Sequence, residues 1–225
     1  MPGGHTIDTE VLMYNGALHK VQDIHVGDQL MGDNWTPRVV KSLERGKSDM
    51  VRVSGQRGSW EPFIVSLNHL LTVQFTSLIE RYYSSTSETA EVMITWYERA
   101  GNNQPVKYTQ TFANVRAADA FMRTSADIIR DGDVMDISIK DLQRWNPKWY
   151  IGGKVCLYRP QKDSGGRTGQ DRGQAQGPKL SEQAAWRTGF YMESVGLGPG
   201  PGPYYGFDLD GNGRYLMADY TVSKC

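Results

Sequence analysis

The stretch Asp8-Thr9-Glu10-Val11-Leu12-Met13-Tyr14-Asn15-Gly16, continued by Val21-Gln22-Asp23-Ile24-His25-Val26-Gly27-Asp28-Gln29-Leu30-Met31-Gly32, sets the reading of the chain. Its apolar residues come in runs too short for a helical repeat, and turn-forming residues separate them, which predicts β-strands. Asn15-Gly16 between strands at 10–14 and 19–22 predicts a two-residue type I′ hairpin, because Asn and Gly tolerate positive φ. The same pattern extends outward. Strands are expected at 29–31, 37–44, 50–53, 63–65 and 71–76, with a turn at Gly32-Asp33-Asn34. Residues 91–98 and 107–112 form a pair across Gly101-Asn102-Asn103, and 134–139, 190–195 and 204–209 read as further strands. Residues 214–222 make a final pair across Asp210-Gly211-Asn212-Gly213. Only 115–130 carries a helical pattern, with a helical turn at 139–145. The chain is therefore expected to be mostly all-β, with a small α/β insert.

The 225 residues include 25 Lys and Arg against 25 Asp and Glu, so no net field draws the protein to nucleic acid or an anionic membrane. At 39% apolar and 22% charged, the composition is that of a folded protein. No run approaches the roughly 18 apolar residues of a membrane span. The start Met1-Pro2-Gly3-Gly4-His5 lacks the basic and apolar regions of a secretory signal, so an intracellular site is expected. Cys156 and Cys225 are too few for a disulfide framework. His5, His19, His25 and His69 have no metal-ligand spacing, so neither a metal nor another cofactor is expected. Asp210-Gly211-Asn212-Gly213 lacks the downstream Glu of a calcium loop and reads as a hairpin turn.

The two opening runs resemble the first motif block of inteins. Ser66-Leu67-Asn68-His69 stands where inteins carry a T-x-x-H motif, and Tyr204-Tyr205-Gly206-Phe207-Asp208-Leu209 with residues 214–222 is similar to their closing blocks. The central text, with Asp136-Ile137-Ser138-Ile139-Lys140-Asp141-Leu142, is similar to the longer Hint domain of the yeast vacuolar ATPase intein and its relatives. The resemblance implies a horseshoe-like Hint fold in two parts, residues 4–160 and 186–225, with a central insert at about 78–150. Residues 161–185 are polar and Gly-rich, expected to be a flexible linker where larger relatives carry a homing endonuclease. No paired endonuclease helix is present, so a mini-intein without nuclease activity is implied.

What the family does defines what each position must supply. Splicing begins when a Cys or Ser at the first intein position attacks the preceding carbonyl. Counting back from Asp8-Thr9, that position is Gly4, which has no nucleophile. The resemblance implies that His69 hydrogen-bonds the scissile amide and protonates its leaving nitrogen, while Ser66 and Asn68 bind the oxyanion or twist the amide. At the other junction the family uses His-Asn before Cys, Ser or Thr, the Asn cyclising to release the downstream peptide. Here the text is Ser223-Lys224-Cys225. Either Lys224 takes the His position and Cys225 the Asn position, or Ser223-Lys224 replaces His-Asn and Cys225 is the downstream nucleophile. Neither register contains asparagine. Direct attack by Cys225 on the Gly3–Gly4 junction would leave a branched thioester that cannot be resolved without asparagine.

Asp208 matches an acidic position that can tune the nucleophile. The expectation is thus an autoprocessing domain acting on its own junctions as a monomer, without a small-molecule substrate or membrane partner, and disabled for splicing. The alternative is a Hint scaffold turned binding module. The central basic and aromatic residues Arg116, Arg123, Arg130, Lys140, Arg144, Trp145, Trp149 and Tyr150 suggest nucleic acid for it, but six nearby aspartates oppose this.

Overall fold

In a computed structural model of the chain, residues 3–76, 78–84, 90–99, 104–160, 189–198 and 200–224 are described; the expected linker at 161–185 and Cys225 lie outside them. Strands dominate. In chain order they are β1 (Glu10–Leu12), β2 (Leu18–Lys20), β3 (Gln29–Met31), β4 (Pro37–Ser48), β5 (Met50–Gly55), β6 (Phe63–Ser66), β7 (Leu70–Phe75), β8 (Glu80–Tyr83), β9 (Val92–Arg99) and β10 (Pro105–Phe112). After helix α1 (Val115–Thr124) come β11 (Val134–Ser138), the short helices α2 (Ile139–Leu142) and α3 (Lys148–Ile151), β12 (Val155–Leu157), β13 (Phe190–Val195), β14 (Gly202–Leu209), β15 (Arg214–Leu216) and β16 (Val222–Lys224). The chain divides into two compact units, Met1–Val73 with Met135–Cys225, and Gln74–Val134. Among the described residues no helix is long and apolar enough to cross a membrane.

The first unit is built from antiparallel ribbons that join distant parts of the chain. β4 pairs with β3 and with β14, β5 with β6 and β13, and the last strand β16 lies between β15 and β7. β4 runs four residues past its expected end because Arg45, Gly46 and Ser48 pair with Tyr205, Tyr204 and Gly202 of β14, which overrides their weak strand propensity. Val11, Met13, Val21, Ile24, Leu30, Val40, Phe207, Leu209 and Tyr215 close over one another as its core. Burying each of the larger ones stabilises the fold by about 1.5–3 kcal/mol before ordering entropy is counted. The other unit has the sheet β10-β9-β8 with Val92, Ile94, Trp96 and Phe112 packed on Ala118 and Met122 of α1. Asn114 caps α1, its side chain accepting from the Ala117 amide at 2.9 Å.

Four local expectations are corrected. The β1–β2 turn is a three-residue loop: the Gly16 amide donates to the Met13 carbonyl, the Met13 amide to Ala17, and Gly16 alone takes positive φ, at 88°. The helix expected to reach 130 stops at Thr124, where Ser125 turns to extended backbone and the Arg130 guanidinium donates to the carbonyls of Met122 and Ser125. Residues 210–213 do not close a hairpin between β14 and β15, which belong to different sheets. Asp210 instead exchanges hydrogen bonds with the backbone of Val39, and Asn212 binds Arg38 and Asp33. Strands β8 and β12 were not expected. β8 is short and its tyrosines are exposed; β12 is a buried three-residue run that pairs with β7.

Candidate functional site

Gly3 and Gly4 enter the first unit between β6 and β14. The Gly4 amide donates to Ser66 Oγ at 2.9 Å, and the Ser66 amide returns a bond to the Gly4 carbonyl at 2.8 Å. His5 then makes a two-way backbone bridge with Tyr205 of β14, at 2.9 and 2.8 Å. The fit has no room for side chains. A Cβ on Gly3 would lie 2.6 Å from the backbone of His69, and one on Gly4 would lie 2.3 Å from the Tyr205 carbonyl oxygen. Gly206, opposite them on β14, would meet the Gly3 carbonyl oxygen at 2.3 Å.

Ser66 ends β6, and the chain turns at once, the His69 amide bonding the Ser66 carbonyl at 2.9 Å. Asn68 sits half-buried in this turn. The turn is pinned from outside: the amides of Ile139 and Lys140 donate to the carbonyls of His69 and Leu67. Those amides are available because they open α2, whose first turn leaves its N–H groups without helical partners. His69 is thereby fixed through its backbone, with its ring buried.

The His69 ring shares a 3.3 Å hydrogen bond from Nε2 with Ser223 Oγ on β16. Its Nδ1 is buried and has no hydrogen-bond partner among the described residues. The ring of His5 stands edge-on to it, with centroids 4.4 Å apart, and His5 Nε2 shares a 2.7 Å bond with Tyr215 OH. Burial pushes the His5 pKa down from 6.5 to about 3. Burial likewise holds His69 well below 6.5, and the neighbouring His5 adds to the effect. Both rings are therefore neutral at pH 7.

Behind Ser223, Lys224 donates to Asp136 Oδ2 at 2.9 Å, and Asp136 also accepts from Thr72 and from Arg214, each at 2.8 Å. Burial opposes the charge on Asp136, but the bonds from Arg214, Lys224 and Thr72 outweigh it and hold the carboxyl below its ordinary 3.8. Arg214 continues to Asp33, which also faces Arg38. The last described strand is thus tied down by an ion network as well as by the Ser223 to Leu71 register of β16 on β7.

Of the residues singled out from sequence, Gly4, Ser66 and His69 come together, with Asn68 in the same turn. Lys224 is on the adjoining strand but is committed to Asp136. Asp208 is exposed on β14, on the opposite pleat from buried Phe207 and Leu209, and is not brought to this cluster. Cys225 lies outside the described residues. Sequence reasoning missed His5 and Tyr215 as site residues. The one available signal was that His5 directly follows the position read as the junction; Tyr215 looked like an ordinary strand residue, since only its pairing with Ser223 across β15 and β16 places it. Arg130 is engaged as a helix cap, and Trp145 and Tyr150 are buried, so these two are not surface groups.

The sequence model of the Hom_end-associated Hint family matches residues 5–130. A 51-residue stretch, 23% of the chain, is 43% identical to a catalytic subunit of the V-type proton ATPase from Candida tropicalis, and spans 5% of that protein's length. Crystal structures of the gp41-1 intein and of a triple-substituted form align over the whole of both chains, with TM-scores of 0.45 and 0.44 at 10% and 11% identity.

Proposed function

The chain belongs to the Hom_end-associated Hint family, and from that premise we propose that residues 4–160 and 186–225 form one intein-type domain whose Gly3–Gly4 peptide is the upstream junction it holds. The observation that carries this reading is the reciprocal hydrogen bonding of Gly4 with Ser66, set against the backbone of the His69 turn. Ser66 grips the scissile amide. His69 has Nε2 on Ser223, so Nδ1 is the nitrogen left to serve the leaving amide. A neutral imidazole held this way can take a proton from an attacking group and pass it to the leaving nitrogen, so it is charged only in passing.

Splicing is blocked at both ends in this form. Position 4 supplies no nucleophile, and neither Ser223 nor Lys224 can form the cyclic imide that frees a downstream peptide. Ser223 is the residue that reaches His69, which supports the register in which Ser223-Lys224 replaces His-Asn.

The test places a reporter domain upstream of the full chain and compares the native sequence with Gly4→Cys and Gly4→Ala during incubation with a strong thiol at neutral pH. Gly4→Ala carries the same Cβ strain without a thiol, so the difference between the two variants reads chemistry alone. Release of the reporter from Gly4→Cys only, and its loss on adding His69→Ala, is the expected result. No release from a folded Gly4→Cys protein refutes the reading of the junction.

A further inference from the structure

His5 is a full imidazole buried beside the junction, in a place where packing alone calls for an apolar side chain. Its surroundings are the Phe63 ring at 6.5 Å, the edge-on His69 ring at 4.4 Å and Tyr215 at 6.0 Å between centroids. Tyr215 OH occupies Nε2, and Nδ1 has no partner among the described residues. A buried nitrogen left in that state destabilises the fold, so a histidine there makes sense where it serves something other than packing. Two further observations point to what it serves. His5 is covalently next to Gly4, and its backbone bridge to Tyr205 fixes both the junction and its own ring. The ring it touches is His69.

We infer that His5 is a positioning residue for the junction chemistry, its imidazole forming with that of His69 a buried pair that takes up at most one proton beyond those of the two neutral rings and thereby keeps His69 Nδ1 ready for the Gly4 nitrogen. The inference rests on the junction reading above. The titratable groups facing the pair are Tyr215 from β15 on His5, and each imidazole on the other; Ser223 from β16 faces His69, and β6 and β14 present Phe63, Val65 and the Tyr205 backbone. The carboxylates of the unit nearest in the bonding network, Asp136 and Asp33, are engaged by Arg214 and Lys224. With no carboxylate bonded to either ring among the described residues, a proton on one ring repels a proton on the other, so the two titrate as a unit. In Gly4→Cys the thiol sulfur bonds to the Gly3 carbonyl carbon as the C–N bond to residue 4 breaks, and the thiol's proton passes to His69 Nδ1 and on to the departing nitrogen, so the pair is neutral before and after.

The experiment follows the imidazole nitrogens by NMR in the full native chain and in His5→Phe and His5→Gln, from pH 7.5 down to about 2.5, below the folded His5 value near 3. Thiol-induced release of the reporter from Gly4→Cys, carrying the same His5 changes, is then measured across pH 5 to 9. His5→Gln retains a hydrogen-bonding group for Tyr215 and shows whether polarity alone suffices. The inference expects His69 to titrate at higher pH once His5 is replaced by either residue. It also expects release to slow on the order of tenfold or more, with the acid limb of the profile displaced. It is overturned if His69 titrates identically in all three proteins, or if His5→Gln releases at the parent rate with an unchanged profile. Absence of release from Gly4→Cys with His5 intact overturns the junction reading itself, which the unaltered NMR titration of the native pair tells apart from failure of this inference.

Discussion

Replacing Gly4 by alanine tests whether the site has closed around glycine. The added Cβ would sit 2.3 Å from the Tyr205 oxygen, 2.5 Å from its carbonyl carbon and 2.8 Å from the Gly206 nitrogen, all backbone atoms that cannot rotate aside. Restoring ordinary contact requires the first segment and β14 to part by about 1 Å. That movement stretches both hydrogen bonds of the His5–Tyr205 bridge, now 2.9 and 2.8 Å, beyond useful length. Two backbone bonds at about 0.5–1.5 kcal/mol each give a loss of about 1–3 kcal/mol, and overpacking strain lies in the same range. The smaller entropy of the unfolded alanine chain offsets about 0.4–1 kcal/mol. The net expectation is a loss of about 1–5 kcal/mol, read as a fall of about 2–4 °C for each kcal/mol in the calorimetric transition of the larger unit. Gly196→Ala is the matched control, since nothing lies within 4 Å of its Cβ position and its φ is not positive. A Gly4→Ala protein within about 0.5 kcal/mol of the native chain would refute the packing argument, and with it the claim that a nucleophile cannot be restored without backbone movement.

Acid should destabilise the larger unit earlier than carboxylate titration alone allows. His5 binds protons at 6.5 when unfolded and only near 3 when folded, so its contribution is complete above pH 6.5 and is lost as pH falls toward 3. Its size is on the order of 5 kcal/mol, with His69 acting in the same direction; urea midpoints that stay constant between pH 7 and 5 would contradict this. Asp136→Asn removes the carboxylate that Lys224 and Arg214 share, leaving Arg214 only Asp33, and should cost about 1–3 kcal/mol, more than Lys224→Met, which leaves Asp136 its other two partners; equal thermal shifts for the two would count against the network. In the smaller unit, Asn114→Ala should cost about 1 kcal/mol through the lost cap. Hydrogen exchange would show it as weaker protection of the α1 amides, and unchanged protection would remove the cap from the account.

Strand positions were legible because a half-buried strand shows itself locally, through short apolar runs and turn residues. That is how 10–14, 29–31, 63–65 and 204–209 were found, whereas the Ser66 to His69 turn and the Gly4 position were picked out by their resemblance to the motif blocks of inteins. Partners were not legible. Nothing in the text of residues 45–48 marks a strand until β14 lies beside it, and the turn at 210–213 looks like a hairpin until Val39 and Arg38 are seen to hold it. Likewise a glycine at position 4 reads from sequence as a missing nucleophile, whereas the tertiary structure adds that the surrounding backbone has filled the space. His69 meets Ser223 across a separation of 154 residues, and His5 meets Tyr215 across 210. Alternation and propensity act over a few residues, but a site assembled at such separations depends on which ribbons pair and in what register, and those are decided only when the whole core closes.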